Sequence, residues 1–549
     1  MNALLGRNLE QLPTRVRELI KQAQRLPELV IREARNGALV LGLRRGGREM
    51  LFHSRYDPQR EANRLAATVP AGACVVAFGF GAGHHLTALI ETKHRVIVVE
   101  PNLPLLRAAL ERADFADALS AGSLQIAVGT PIEVELQIRG HFVPGIDERL
   151  VVVELPGRVS CEPESFVAYR AIVRRLVEDY ASDIATQARF AKRWMKNTLG
   201  NLSQLAITER PLSRLPRLDS ATVCIVAAGP SLTSQLEWIA CHRESLVIVA
   251  VDTALPILTA NGLSPDLVTS IDCQVASYHH YLVAAPVSTP VVVELSAPRA
   301  LIAAAQACIP IGSSHPFHRF LHRMSLPFPT ISTGSGTVTG ATIELAHVMK
   351  AESLILAGVD SSYPRGELYP RGSYAHHFFD AHSTRLSPTE ARMRGFLWSR
   401  PEVAAEGQVW TTPQLRGYHH QLKRRLNHSP IAIYEMPGHG LPLGFPAPTE
   451  TALSPITKRF TPVEIGPLRP QLVAEVLTEF LRLTEGITDR ESLERGFYAP
   501  ERHGATAAIV PVVLHASREL PTSDHDTRVR TAVDWIKREV LQTIRAVAS

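Results

Sequence analysis

Three segments of this chain end in residues able to handle a phosphorylated ligand. Gly229-Pro230-Ser231-Leu232 closes an apolar run and opens a stretch of helical character. Glycine lets the backbone approach a ligand there, and serine suits a helix start, where free N–H groups hold a phosphate. A second turn, Ser332-Thr333-Gly334-Ser335-Gly336-Thr337, again precedes a helical segment, Val338–Met349. Hydroxyls and amides of Ser335, Gly336 and Thr337 would add donors around a nucleoside phosphate without any cation. Asp252, Asp266, Asp272 and Asp360 stand at or beside the carboxyl ends of apolar runs. Carboxylates in such places bind ribose hydroxyls, orient a substrate or hold Mg²⁺, while Asp266, after Pro265, equally suits a plain turn. Beyond Asp360 come Tyr363, Tyr369, Tyr374, His376 and His377. Either histidine could take a proton from an attacking hydroxyl, and a tyrosine hydroxyl can stabilise a departing phosphate.

Each of these features also has an ordinary use. A G-P-S-L turn is a compact link from strand to helix, a strand-end aspartate caps a turn, and paired histidines on a loop commonly face solvent. The scaffold around them therefore matters.

That scaffold reads as α/β. The runs V-C-I-V-A-A, L-V-I-V-A-V and L-V-T-S-I are short, rich in β-branched residues and separated by helix-length segments. Runs of this kind suit strands buried on both faces of a parallel sheet, whose ligands sit at the carboxyl ends of the strands. An earlier region repeats the pattern. Ala73–Phe78 is followed by G-F-G-A-G-H (Gly79–His84), and Arg95–Val99 ends at Glu100, which is the layout of a dinucleotide or S-adenosylmethionine fold. The expected organisation is two Rossmann-like domains with mostly parallel sheets and a C-terminal helical domain. A first α/β domain covers 1–160, a connecting helix and proline-bearing linker 161–219, a second α/β domain 220–464, and helices 465–549. Helical patterns are expected at 164–206, Gln471–Leu483, Arg490–Phe497 and Val529–Ala548, and Tyr363–Thr411 reads as irregular.

Composition narrows the function classes. The chain has 549 residues and a formal net charge of +5, with no basic block, which argues against nucleic acid as a partner. Its six cysteines lack metal-ligand spacing and read as reduced thiols of a cytoplasmic protein. The first residues carry no apolar signal core, and the most apolar long stretch, Thr289–Gly312, is interrupted by Glu294, Arg299 and Gln306. No membrane span is expected.

Taken together, the motifs resemble the motility accessory factor (Maf) family, whose central domain is also described as 6-hydroxymethylpterin diphosphokinase MptE-like. The resemblance rests on R-N-L-E-Q-L, H-S-R-Y-D-P-Q-R-E-A (His53–Ala62), G-F-G-A-G-H-H-L with V-V-E-P-N, and R-W-M-K-N-T-L-G-N-L. It continues through G-P-S-L, V-D-T-A-L, P-D-L-V-T-S-I-D, G-S-G-T-V, L-I-L-A-G-V-D and Y-E-M-P-G-H-G-L-P-L-G (Tyr434–Gly444). It implies a glycosyltransferase that moves a nonulosonic acid (pseudaminic, legionaminic or sialic) from a CMP-activated donor to Ser/Thr of flagellin. Similarity of the central domain to bacterial sialyltransferases implies site roles as well. Gly229, Pro230 and Ser231, with Asp252, Asp272 and Asp360, would bind the donor nucleotide, and Ser335, Gly336 and Thr337 its phosphate or the sugar carboxylate. Tyr363 would support the leaving phosphate, and His376 or His377 would be the acceptor base. No cofactor or metal is then required. Two alternatives remain open. One is an ATP-dependent diphosphokinase with Mg²⁺ on Asp252, Asp272 and Asp360; the other is a flagellin-binding protein without catalysis.

Overall fold

The computed structural model describes residues 3–24, 26–147, 149–208, 210–219, 221–284, 288–332, 336–400, 402–407, 409–449, 453 and 463–549. The chain divides into two compact units. One holds Met1–Arg189 with Ser517–Pro521, and the other Phe190–Ala516 with Thr522–Ser549.

The first unit opens on an antiparallel meander, β1 (Leu29–Glu33), β2 (Leu39–Arg45) and β3 (Arg48–Leu51). A parallel four-stranded sheet follows: β4 (Cys74–Phe78), β5 (Arg95–Val99), β6 (Leu124–Ala127) and β7 (Leu150–Glu154), in the order β6-β5-β4-β7. Alternate residues supply two cores. Val75, Ala77, Val96 and Val98 point to one face, and Cys74, Val76, Phe78, Ile97 and Val99 to the other. Burial on both faces is why the central strands β4 and β5 are almost wholly apolar.

The second unit is built on seven parallel strands. They are β8 (Thr222–Val226), β9 (Val247–Val251), β10 (Leu267–Ser270), β11 (Val291–Glu294), β12 (Cys308–Ile311), β13 (Ser353–Ala357) and β14 (Ala432–Glu435). Their order is β12-β11-β10-β9-β8-β13-β14. Val223, Ile225, Val247, Val249, Leu354 and Leu356 fill one core; Cys224, Val226, Ile248, Ala250, Ile355 and Ala357 fill the other. The chain starts at β8, runs out to β12, then returns to the far side of β8 as β13. The β8–β13 neighbourhood is therefore the topological switch point, where an open α/β sheet leaves a crevice beyond its strand ends.

The helical pattern at 164–206 is one 44-residue helix, Glu164–Ile207. The C-terminal region is helical as expected, with Pro470–Thr484, Arg490–Tyr498 and His525–Ala548, and it adds a helix that the sequence concealed, His503–Glu519. Pro511 lies inside that helix. A proline normally argues against a helix interior, but burial of Ile509 through Leu514 holds it in place. Phe480 packs edge-on against Phe317 and Phe320, with ring centroids 5.2 and 5.1 Å apart, tying the C-terminal helices to the segment after β12.

One expectation is corrected. Tyr363–Thr411 is not irregular, for it contains helices Tyr374–Asp380 and Thr389–Trp398 and a hairpin of Ala404–Glu406 with Val409–Thr411. A small core of Leu368, Met393 and Leu397, with Tyr363, Phe379 and Val403 against it, holds the segment together. So few apolar residues, so widely spaced, leave no periodic signal. The six cysteines are unpaired, and no helix of the described residues is long and apolar enough to cross a membrane.

Candidate active site

At the switch point three loops meet. The first follows β8. Gly229 donates its N–H to the Gly358 carbonyl at 2.8 Å, and Ser231 donates its N–H to Asp360 Oδ2 at 2.9 Å. The Ser231 hydroxyl donates to the other oxygen of Asp360. An added Cβ on Gly229 would run into the Asp360 carboxylate and the Gly358 carbonyl, so only glycine fits. The sequence reading is corrected here: the Gly229 and Ser231 amides are not free for a phosphate, because the Gly358 carbonyl and Asp360 already accept them. Ser231 also makes no side-chain cap on helix Leu232–Cys241.

The second loop follows β13 and carries Asp360, Ser362, Tyr363 and Arg365. Ser361 and Arg365 both adopt left-handed backbone, at φ 48° and 56°, a conformation that costs energy in residues other than glycine. Asp360 is 4% exposed. Burial pushes its pKa up, while the Ser231 hydroxyl and N–H pull it down, and the balance lies above the ordinary value. The third loop, Pro437–Gly444, comes from β14 and was visible in the sequence only as a quoted motif. Glu435 anchors it by accepting the N–H groups of Leu443 and Gly444, each at 2.8 Å. His439 donates its N–H to Ser231 Oγ at 2.8 Å, and its exposed ring lies 3.5 Å from Arg365 Nη2. Gln235 links all three loops, accepting the Gly358 N–H and donating to the Pro437 carbonyl. Sequence reading missed Gln235, Glu435 and His439, because they act through backbone groups far away in the chain.

A second group sits at the ends of β9 and β10. Asp252 is 3% exposed and accepts the Ser270 hydroxyl at 2.7 Å, while Thr253 donates to its other oxygen. Asp272 accepts the N–H and side-chain amide of Gln274 at 2.9 and 3.1 Å. Asp266 belongs elsewhere. It precedes β10, on the opposite edge of the sheet, and is tied to Arg243 and the Ile248 N–H, each at 2.8 Å. Its role is structural, against the reading that placed it with the ligand-facing acids.

The remaining expected residues are spread out. Tyr363 packs on the small core after β13, and burial keeps its phenol protonated above the ordinary range. His376 is half-buried and His377 exposed on helix Tyr374–Asp380. Of the second glycine turn, Ser335 lies outside the described residues. Gly336 is at φ 69°, with the Tyr418 ring against it, and Thr337 caps helix Val338–Val348 by accepting the Gly340 N–H at 3.1 Å. Among the described residues no cluster of His, Cys, Asp and Glu is arranged to hold a metal ion.

Next along the edge, Glu294 at the end of β11 is buried and pushed up to about 7, with Ser296 donating to it at 3.0 Å. Asn197 and Asn201, one turn apart on the long helix, donate to the carbonyls of Cys273 and Ser296, and of Leu295 and Ala297. That is the physical content of R-W-M-K-N-T-L-G-N-L: two amides that pin the strand ends beside the site.

The first unit has its own glycine turn after β4, and it is filled. Glu100 accepts the Phe80 N–H at 3.0 Å and is bonded twice by Arg158, which is fully buried. Arg158 packs on Gly79 and His53 on Gly81. His84 and His85 have ring centroids 5.1 and 5.5 Å from that of His53.

Comparison with known proteins fits this geometry. Residues 196–366 match the model of the family described as 6-hydroxymethylpterin diphosphokinase MptE-like. An uncharacterized protein of Treponema pallidum (strain Nichols) is 40% identical over 174 residues, which are 31% of this chain and 77% of that protein. The two belong to one family. A second treponemal protein, also uncharacterized, is 31% identical over 207 residues, covering 38% of this chain and 43% of the other. The MAf glycosyltransferase from Magnetospirillum magneticum AMB-1 superposes with a TM-score of 0.62 at 15% identity, over 100% of this chain and 97% of that one. The chain thus has the Maf fold, and its MptE-like segment carries two of the three switch-point loops.

Proposed function

We propose that this chain is a glycosyltransferase that moves a nonulosonic acid of the pseudaminic, legionaminic or sialic type from a CMP-activated donor to Ser/Thr hydroxyls of flagellin. The observation that carries this reading is the switch-point crevice of Ser231, Asp360 and His439, set in a chain that takes a glycosyltransferase fold over its whole length. Asp360 is held by hydroxyl and amide donors, and among the described residues no Arg or Lys bonds to it. A carboxylate so held suits ribose hydroxyls and repels a phosphate. The donor phosphate then belongs toward Arg365, whose guanidinium supplies the positive charge with the His439 ring beside it. Tyr363, kept protonated by burial, is the expected hydrogen-bond donor to the departing phosphate. On this reading the enzyme works in the cytoplasm on CMP-sugar and needs no metal.

Thermal unfolding with CMP or with ATP, each with and without Mg²⁺, tests it. A ligand at about a hundred times its dissociation constant adds ~2.7 kcal/mol, a shift of a few degrees. A shift with CMP that ignores Mg²⁺ is expected. The MptE-like match favours a second reading, an ATP-dependent diphosphokinase with Mg²⁺ on Asp252, Asp272 and Asp360. A shift only with ATP plus Mg²⁺ would select that reading, and no shift with any nucleotide would favour a flagellin-binding protein.

A further inference from the structure

His280 lies on helix Ala276–Ala284, which packs on the turn carrying Asp252 and on helix Tyr374–Asp380. The Tyr374 ring stands perpendicular to His280, with centroids 5.5 Å apart, and 5.0 Å from His279. Nδ1 of His280 is enclosed and has no hydrogen-bond partner, although the residue as a whole is only half-buried. A buried ring nitrogen left without a partner is costly and calls for an explanation. Two carboxylates, Asp252 and Asp272, act on this ring and favour its charged form. Asp252 is itself fixed by Ser270 and Thr253, so its charge stays in place. All of these groups stand at the carboxyl edge of the sheet, where ligands bind.

We infer that His280, on the helix packed against the Asp252 turn and beside the Tyr374 ring, is the base that deprotonates the acceptor hydroxyl. This deepens the transferase reading and rests on it. The acceptor oxygen bonds to the anomeric carbon as that carbon's bond to the phosphate oxygen breaks. The electron pair of that bond leaves with CMP, the hydroxyl proton passes to His280, and solvent later removes it. A base must be neutral before it acts. Burial lowers the pKa of His280, as does the charge of His279, while Asp252 and Asp272 raise it, and the balance lies below 6.5. At neutral pH the ring is therefore ready to accept a proton, and the carboxylates stabilise the imidazolium once it forms. His376 and His377 have no such surroundings: one is half-buried, the other exposed, and their rings lie 6.2 Å apart.

The test is initial-rate kinetics of the full chain with CMP-activated nonulosonate and flagellin across pH, with CMP affinity measured by calorimetry on every variant. His280→Gln is expected to lose about a hundredfold or more in kcat, to keep its CMP affinity within about twofold, and to lose the acid limb of the pH profile. Asp252→Asn, which removes a charge that favours the imidazolium, is expected to move that limb to lower pH. Should His280→Gln fail to fold, the movement of the limb in Asp252→Asn decides. Near wild-type kcat in His280→Gln, or a loss confined to the double variant His376→Gln/His377→Gln, overturns the assignment and leaves the transferase reading intact. A wild type that neither binds CMP nor transfers sugar overturns both.

Discussion

Both units place a glycine turn after a parallel strand, and each fills that turn with one of its own carboxylates. The partners of the carboxylate differ. In the first unit Glu100 is neutralised by a buried arginine, and side chains from outside the turn press on all three of its glycines. The acid at the end of the next strand and the Phe80 amide, which a cofactor would use there, are already engaged with each other and with Arg158. In the second unit the hydrogen bonds to Asp360 among the described residues come from hydroxyl and amide donors, its loop is strained at Ser361 and Arg365, and a histidine is exposed beside it. A glycine turn and a nearby acid are thus common to a turn closed by a buried ion pair and to one whose acid is held by hydroxyl and amide donors. What separates them is whether a cation has been buried against the acid.

The comparison can be broken most forcefully at Arg158. Arg158→Leu leaves Glu100 buried without its cation, and unpairing a buried ion pair costs about 3–5 kcal/mol. Denaturant unfolding should show that loss in the first unit while CMP affinity stays as it was. Equal loss of CMP affinity would mean that the first turn takes part in binding.

Glu294 tests the opposite case, an acid buried without a cation. Its pKa is raised from 4.5 to about 7, chiefly by burial. A carboxyl raised by folding contributes fully below its unfolded value and loses that contribution as pH rises through about 7. At ~1.4 kcal/mol per pH unit, Glu294→Gln should stabilise the chain by up to about 3 kcal/mol at pH 8 and by little at pH 5. Equal effects at the two pH values would refute the assignment of the proton.

Gly229→Ala should cost about 1–3 kcal/mol through its collision with Asp360 and Gly358, and should abolish the CMP-induced shift in melting temperature. An alanine variant that melts normally and still binds CMP would show that the crevice is wider than it looks. The smallest effect is expected at His53 in the first unit. Burial lowers its pKa, and the His84 charge adds to that against the opposing pull of Glu61. A histidine lowered by folding stabilises above its unfolded pKa and is lost as pH falls through it. The first unit should therefore lose stability as pH falls below about 6.5, a loss that His53→Asn removes.

Much of the fold was legible in the chain. The central strands of both sheets announce themselves because a strand buried on two faces must be largely apolar, and Gly229, Ser231 and Asp360 stand where such strands end. The small core after β13 was not legible, since Leu368, Met393 and Leu397 are too sparse to show a period. Neither was helix His503–Glu519, where burial overrides Pro511. Asp266 misled because a strand-end acid looks the same at either edge of a sheet.

The sequence by itself determined the α/β class, the two glycine turns and the acids available to them, because these follow from local patterning. Only the tertiary structure decided which acid each turn would hold. Asp360 comes from 129 residues beyond Ser231 and Arg158 from 58 beyond Glu100, and pairings over such separations are set by strand order, which no local pattern encodes. The same holds for His280. Its neighbours Asp252 and Tyr374 come from different strand-end segments, and only the assembled sheet brings their charge and their ring to bear on one imidazole.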